Sequence, residues 1–241
     1  MKHIYKGRTD ADGYFTLTGI REGIVEIHSD DTQGYIGNMD RTVTVGIAEV
    51  VTGINYSLNR GAAISGRVTD VDTGLPISGV RINASEVEGG SGFENVGTGN
   101  DGRYTLGGLT PGVYIVTAEA AREGYIQELY DNKHSGEDAA RITVTGTETV
   151  ERIDFGLKRG ATISGRVIDA VTGLPIAQMG INATLAYWDN FSWSETGIDG
   201  RYALKGVPDG EIKVTMTGQG YLRTSKTVTV QDGQDVTDLD F

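Results

Sequence analysis

The chain has no cysteine, which excludes disulfides, thiolate metal sites and a cysteine nucleophile while leaving the compartment open. Its four prolines form no proline-rich stretch, so nothing in it resembles a semi-rigid extended linker. There are only three histidines, His3, His28 and His134, and they stand in unrelated sequence contexts. A metal or catalytic centre would need such groups to converge, and an exposed surface role is the expectation for His28. Basic residues are the minority: 21 Lys and Arg against 33 Asp and Glu give a net charge of −12, which repels nucleic acid and anionic membranes. No apolar run approaches the ~20 residues of a membrane span. The opening MKHIYKGRTD lacks the apolar centre of a signal peptide, so any export signal is expected outside this segment.

What is abundant is glycine, 36 residues in 241, about twice the usual ~7% and without a Gly-X-Y period. The glycines punctuate a repeat. RGAAISGRVTDVDTGLPI at 60–77 returns as RGATISGRVIDAVTGLPI at 159–176, differing at four positions. NDGRYTLGGLTPGVYIV at 100–116 returns as IDGRYALKGVPDGEIKV at 198–214, with a third version, ADGYFTLTGIREGIVEI, at 11–27. Each copy then carries a Gly-Tyr pair (Gly34-Tyr35, Gly124-Tyr125, Gly220-Tyr221), a β-branched run, and a closing segment, INYSL at 54, IDFGL at 153 or LDF at 239. A period this long is a whole domain rather than a solenoid turn.

Within the copies apolar residues alternate as half-buried strands require. Ile212, Val214 and Met216 are expected to face inward, with Glu211, Lys213 and Thr215 outward. Tyr114, Val116 and Ala118, and likewise Ile153, Phe155 and Leu157, are expected in the core. Short alternating runs separated by glycine turns predict an all-β protein of tandem antiparallel β-sandwich domains. Residues 118–123 alone have helical composition, and Gly124 should stop them after a turn. The expected units are residues 1–59, a partial sandwich lacking its first two strands; 60–158, a complete one; and 159–241, with one shortened loop. Both ends look cut from a longer multidomain protein, and the short junctions at 58–62 and 157–161 predict units arranged end to end with restricted bending.

The ISGRVTD and ISGRVID strands, the GLPI turns, the D-G-x-[YF]-x-L segments, LTPGVY at 109 and the stretch from Gly124 to Leu157 together resemble the carboxypeptidase regulatory-like repeats of secreted and surface bacterial proteins. The resemblance implies a transthyretin-like or prealbumin-like sandwich, similar to collagen-adhesin B-type and starch-binding domains. It also implies an extracellular or cell-surface setting. The transthyretin-like purine-pathway hydrolase carries a histidine and arginine constellation and a C-terminal Tyr-Arg-Gly-Ser signature, and neither occurs here. The Lys-Asn crosslink of related adhesin domains needs a buried lysine on an early strand; here those strands carry Arg67 and Arg166. No catalytic residue and no cofactor are therefore expected.

Two features remain as candidates. Asp10-Ala-Asp12-Gly13 echoes the opening of a calcium loop, which makes Asp10 and Asp12 weak metal candidates; an Asp-Gly hairpin turn is the preferred reading because only Asp-Gly recurs, at Asp101 and Asp199. Further acidic pairs stand at Asp30-Asp31 and Asp70-Val-Asp72. LAYWDNFSWSE at 185–195 holds both tryptophans of the chain around an expected Asp189-Asn190 turn. Its parity sends Tyr187 inward and Trp188 outward, and Trp188, Trp193 and Phe191 are the ligand-binding candidates, because exposed aromatics stack on sugar rings; packing against a neighbouring domain or capping the sandwich end is the preferred reading. Three functions fit: a structural or adhesive array whose partners are neighbouring domains, a polysaccharide-binding module, and an accessory region of a secreted hydrolase or peptidase.

Overall fold

The computed structural model describes residues 4–29, 34–36, 40–87, 93–133, 138–185 and 188–241, with the backbone alone at Phe93 and at 188–191. The first stretch contributes one antiparallel pair, β1 (Gly23–His28) and β2 (Asp40–Val45). The middle stretch contributes β3 (Ala62–Asp70), β4 (Arg81–Glu86), β5 (Phe93–Gly97), β6 (Arg103–Leu109), β7 (Gly112–Glu119), β8 (Glu128–Leu129), β9 (Ile142–Val144), β10 (Thr149–Val150) and β11 (Phe155–Leu157). The last contributes β12 (Ala161–Arg166), β13 (Gly180–Leu185), β14 (Trp188–Glu195), β15 (Arg201–Val207), β16 (Gly210–Thr217) and β17 (Thr224–Val230). A 3-10 turn, Ala121–Glu123, ends where Gly124 takes φ 85° and its N–H donates to the Ala121 carbonyl.

In the middle stretch one sheet has β3 at its centre, with β6 antiparallel on one side and β10 and β11 on the other. The second sheet runs β5-β4-β7, with β8 and β9 on the far side of β7. Between them lies a closed core that includes Ile64, Val68, Ile82, Tyr114, Val116, Phe155 and Leu157. The last stretch repeats the plan: β12 pairs β15, a four-stranded sheet runs β14-β13-β16-β17, and a second core gathers Ile163, Ile181, Leu204, Ile212 and Val214. The inward parity of Ile212, Val214, Met216, Tyr114, Val116, Ala118, Ile153, Phe155 and Leu157 is realised throughout. Thr215 differs from its expected exposure. It keeps the outward parity but is buried, because its hydroxyl is paired with that of Ser225 at 2.9 Å on the neighbouring strand.

One edge departs from an antiparallel plan. β10 and β11 run parallel to β3, and in the last stretch Val236 bridges Ile163 in the same sense. The closing segment arrives from the opposite sheet, so it meets β3 in the direction that a crossover imposes. This explains the glycine of ISGR. A Cβ at Gly66 would stand 2.0 Å from the Ile153 carbonyl oxygen, and one at Gly165 would stand 2.2 Å from that of Leu239. The crossing is fastened by side chains in both copies: Asp154 accepts from the Arg67 N–H at 2.7 Å and Asp240 from the Arg166 N–H at 2.7 Å. The Tyr104 hydroxyl donates to the Ile153 carbonyl at 2.6 Å and the Tyr202 hydroxyl to the Leu239 carbonyl at 2.5 Å.

The first stretch has no such core. Among its described residues none of the large apolar side chains is fully buried, and Val25, Ile27 and Val43 are only half-covered. Within it, Phe15 lies against Tyr56 with ring centroids 6.3 Å apart, and the Tyr56 hydroxyl donates to the Ile27 carbonyl.

Candidate functional site at the junctions between repeats

The Gly-Tyr pairs acquire a role once the chain is folded. Gly34, Gly124 and Gly220 all hold positive φ, 89°, 85° and 81°, which a side chain would oppose and which turns the following tyrosine back along the chain. At the second junction Tyr125 forms an antiparallel bridge with Arg159, the Ile126 N–H donates to the Lys158 carbonyl at 2.9 Å, and the Gly160 N–H to the Gly124 carbonyl at 3.1 Å. The first junction has the same three contacts: Tyr35 bridges Arg60, the Ile36 N–H donates to the Asn59 carbonyl at 2.8 Å and the Gly61 N–H to the Gly34 carbonyl at 3.0 Å. Each arginine covers the tyrosine ring before it, Arg60 at 5.4 Å from the Tyr35 centroid and Arg159 at 4.8 Å from that of Tyr125.

At the second junction a buried carboxylate completes the cluster. Asp70, 3% exposed, takes the Tyr125 hydroxyl on Oδ2 at 2.8 Å and faces Arg159 Nε at 3.3 Å. Its Oδ1 accepts from the N–H groups of Asp72 and Thr73. The Tyr125 bond, with the Thr73 amide next, pulls the Asp70 carboxyl down to about 2 against the opposing effect of burial. Ile126 then lies against the core of the following repeat, and Gly206 of that repeat approaches so closely that a Cβ there would be 2.2 Å from the Tyr125 carbonyl oxygen. Chain folding thus brings Asp70, Tyr125 and Arg159 together across two copies. The recurrent Gly-Tyr and Arg-Gly signals were in the sequence; what it lacked was their pairing.

Asp10 and Asp12 stand on an exposed turn. Asp10 Oδ1 accepts from the Asp12 N–H at 3.0 Å and the Tyr14 N–H at 2.9 Å, and Gly13 follows with φ 85°. The backbone of this turn recurs with Gly99 and Gly197 at the Asp10 position, and there Asp101 and Asp199, the counterparts of Asp12, each accept from the N–H two residues on, at 3.1 Å. Among the described residues no group of three or more His, Cys, Asp or Glu is placed to hold a metal ion. His28 is exposed and pairs with Asp40, Nδ1 to Oδ1 2.6 Å; His3, His134 and Asp30-Asp31 lie outside the described residues.

Of the aromatic candidates, Trp193 is 58% exposed on β14, whereas Tyr187 and the side chains of Trp188 and Phe191 lie outside what is described. The turn expected at Asp189-Asn190 is not there: both residues are within β14, and Leu185 pairs directly with Trp188. Register places Trp193 beside Asn182, Asn182 beside Thr215 and Thr215 beside Ser225, a row of amide and hydroxyl groups ending in an indole on the outer face of the sheet.

Elsewhere, Glu128 on β8 is buried, which pushes its carboxyl up to about 7, and Asn83 keeps a buried side-chain oxygen without a hydrogen-bond partner.

The sequence profile of the carboxypeptidase regulatory-like domain matches residues 63–158 and again 162–241. No curated protein matches the chain. Solved structures similar to it include the Bacillus anthracis TIE protein, 14% identical with a TM-score of 0.33, over 96% of this chain and 44% of that one, so the chain spans less than half of that relative. GBS52, the minor pilin of Streptococcus agalactiae, is 14% identical with a TM-score of 0.32, over 74% of this chain and 94% of its own. Klebsiella pneumoniae 5-hydroxyisourate hydrolase is 26% identical with a TM-score of 0.28, over 42% of this chain and 92% of its own.

Proposed function

The chain belongs to the carboxypeptidase regulatory-like domain family, and from that premise we propose that it is a non-catalytic structural array of a larger secreted or cell-surface protein, in which jointed β-sandwiches space or present other domains. We divide it at 59/60 and 158/159. The observation that carries this reading is the recurrence of one joint: the same bridge, the same two backbone hydrogen bonds and the same arginine over tyrosine occur at both junctions. The strongly perturbed carboxylate of the second joint is engaged by Tyr125 of its own repeat and Arg159 of the next.

Trypsin tests the array directly, because Lys158 and Arg159 lie in the joint. A locked joint resists cleavage there in the native chain and yields to it in Asp70→Asn. Rapid cleavage at 158–159 in the native chain, with both flanking repeats left folded, would refute the array.

A second reading is favoured by Trp193, whose exposed indole a polysaccharide could stack on, with half-buried Asn182 beside it as a hydrogen-bonding neighbour. Quenching or shift of Trp193 fluorescence on a panel of soluble glycans, lost in Trp193→Ala, would support it. No response across the panel would remove it.

A further inference from the structure

The last repeat repeats the Asp-Tyr pair of the second joint, with Tyr221 and Leu222 exposed. Asp169 corresponds to Asp70: its Oδ1 accepts from the N–H groups of Val171 at 2.9 Å and Thr172 at 2.7 Å, and its Oδ2 takes the Tyr221 hydroxyl at 3.2 Å. The carboxylate is thereby aimed as Asp70 is, before any arginine arrives. Tyr221 is 42% exposed and Leu222 is 88% exposed, whereas Ile126, which follows the corresponding tyrosine of the middle repeat, packs on the next core. A large exposed leucine beside an oriented aspartate and a tyrosine ring matches, group for group, the surface that Arg159 and its neighbours cover one repeat earlier.

We infer that Asp169, Tyr221 and Leu222 form the docking half of a third joint, which takes the Arg-Gly lead-in of another repeat of this kind. The occupant is set by three complementarities already realised within the chain. The guanidinium meets the carboxylate and the tyrosine face, as Arg159 does. The residue before the arginine accepts from the amide after the tyrosine, and the glycine after it donates to the carbonyl before the tyrosine, as at both existing junctions. Phe241 holds the register place of Phe155: its N–H donates to the Arg166 carbonyl, its ring lies 6.3 Å from that of Tyr202, and Asp240 before it accepts from Arg166 as Asp154 does from Arg67. Among the described residues no 3-10 turn precedes Gly220, so the third joint has the Tyr221 carbonyl as counterpart of the Tyr125 carbonyl that faces Gly206 at the second, and no counterpart of Ala121 beside it.

This inference rests on the array reading, and one experiment separates the two. The chain is extended after Phe241 with a second copy of residues 156–241, and amide hydrogen exchange is followed at Ile126 and Leu222 in the original and extended chains. The Leu222 amide is expected to exchange at least tenfold more slowly in the extended chain, approaching Ile126, and to lose that protection in Asp169→Asn or when the appended copy carries Arg159→Ala. Equal Leu222 exchange in both chains, or protection insensitive to Asp169→Asn, overturns the third joint while a protected Ile126 leaves the array standing. An unprotected Ile126 overturns both. A peptide of sequence Gly-Leu-Lys-Arg-Gly-Ala, titrated onto the original chain, provides a second probe that does not depend on the appended copy folding: shifts of the Tyr221 ring resonances support docking, and their absence at millimolar peptide counts against it.

Discussion

Asp70 shows how a single carboxylate can hold two repeats. Its depressed carboxyl means that the folded state binds its proton less readily than the unfolded chain does, so its stabilising effect is present above about pH 4 and is lost as pH falls through about 2. Asp70→Asn should therefore lower the melting temperature at pH 7 and flatten its decline between pH 4 and pH 2, as thermal melts followed by circular dichroism would show. Glu128 acts in the opposite sense. Burial raises it from 4.5 to about 7, so the middle repeat should lose stability as pH rises from about 4.5 to about 7. Glu128→Gln, which keeps an acceptor for the Asn132 N–H, should remove that decline and raise stability at pH 8 by up to about 3 kcal/mol, measurable by urea denaturation. Trp193→Ala should leave stability within about 0.5 kcal/mol, since the side chain is mostly solvated and surface changes of this kind cost little.

At the scale of elements, the closing segment is the most demanding feature of each sandwich, because it must cross β3 or β12 with no room for a side chain. Gly66→Ala and Gly165→Ala should each cost about 3 kcal/mol or more, the upper part of the usual range, since the atom met is a backbone oxygen that cannot move aside. Phe155→Ala should cost about 3–5 kcal/mol through the cavity it leaves. Much of this architecture was legible in the chain: the period-2 alternation named Tyr114, Val116, Phe155, Ile212 and Val214 as core, and Gly124 as the stop of the one helical turn. Three things were not. The parallel course of β10 and β11 depends on which sheet the chain arrives from, which alternation does not encode. The burial of Thr215 depends on a hydroxyl partner one strand away. Asp189 and Asn190 lie within β14 at the irregularity where the register shifts between Ala183↔Ser192 and Leu185↔Trp188, a bulge that turn propensity alone does not place. The joint was half visible, as recurrent Gly-Tyr and Arg-Gly dipeptides, but Asp70, Tyr125 and Arg159 are far apart in sequence and only the fold unites them.

At the scale of the whole molecule, the two repeats with closed cores and the first stretch without one should differ in local stability. Amide exchange should be fast through β1 and β2 and slow through β3, β7, β12 and β16; equal protection of residues 4–58 and 161–241 would contradict the structure described. If joints hold the repeats, rather than flexible linkers stringing them together, residual dipolar couplings report it. Measured in one alignment medium for residues 62–157 and 161–241, they should fit a single alignment tensor for both repeats, and Asp70→Asn should reduce the order of one repeat relative to the other. Two tensors of clearly different magnitude in the native chain, with each repeat folded, would show that the Gly-Tyr and Arg-Gly contacts do not hold the array.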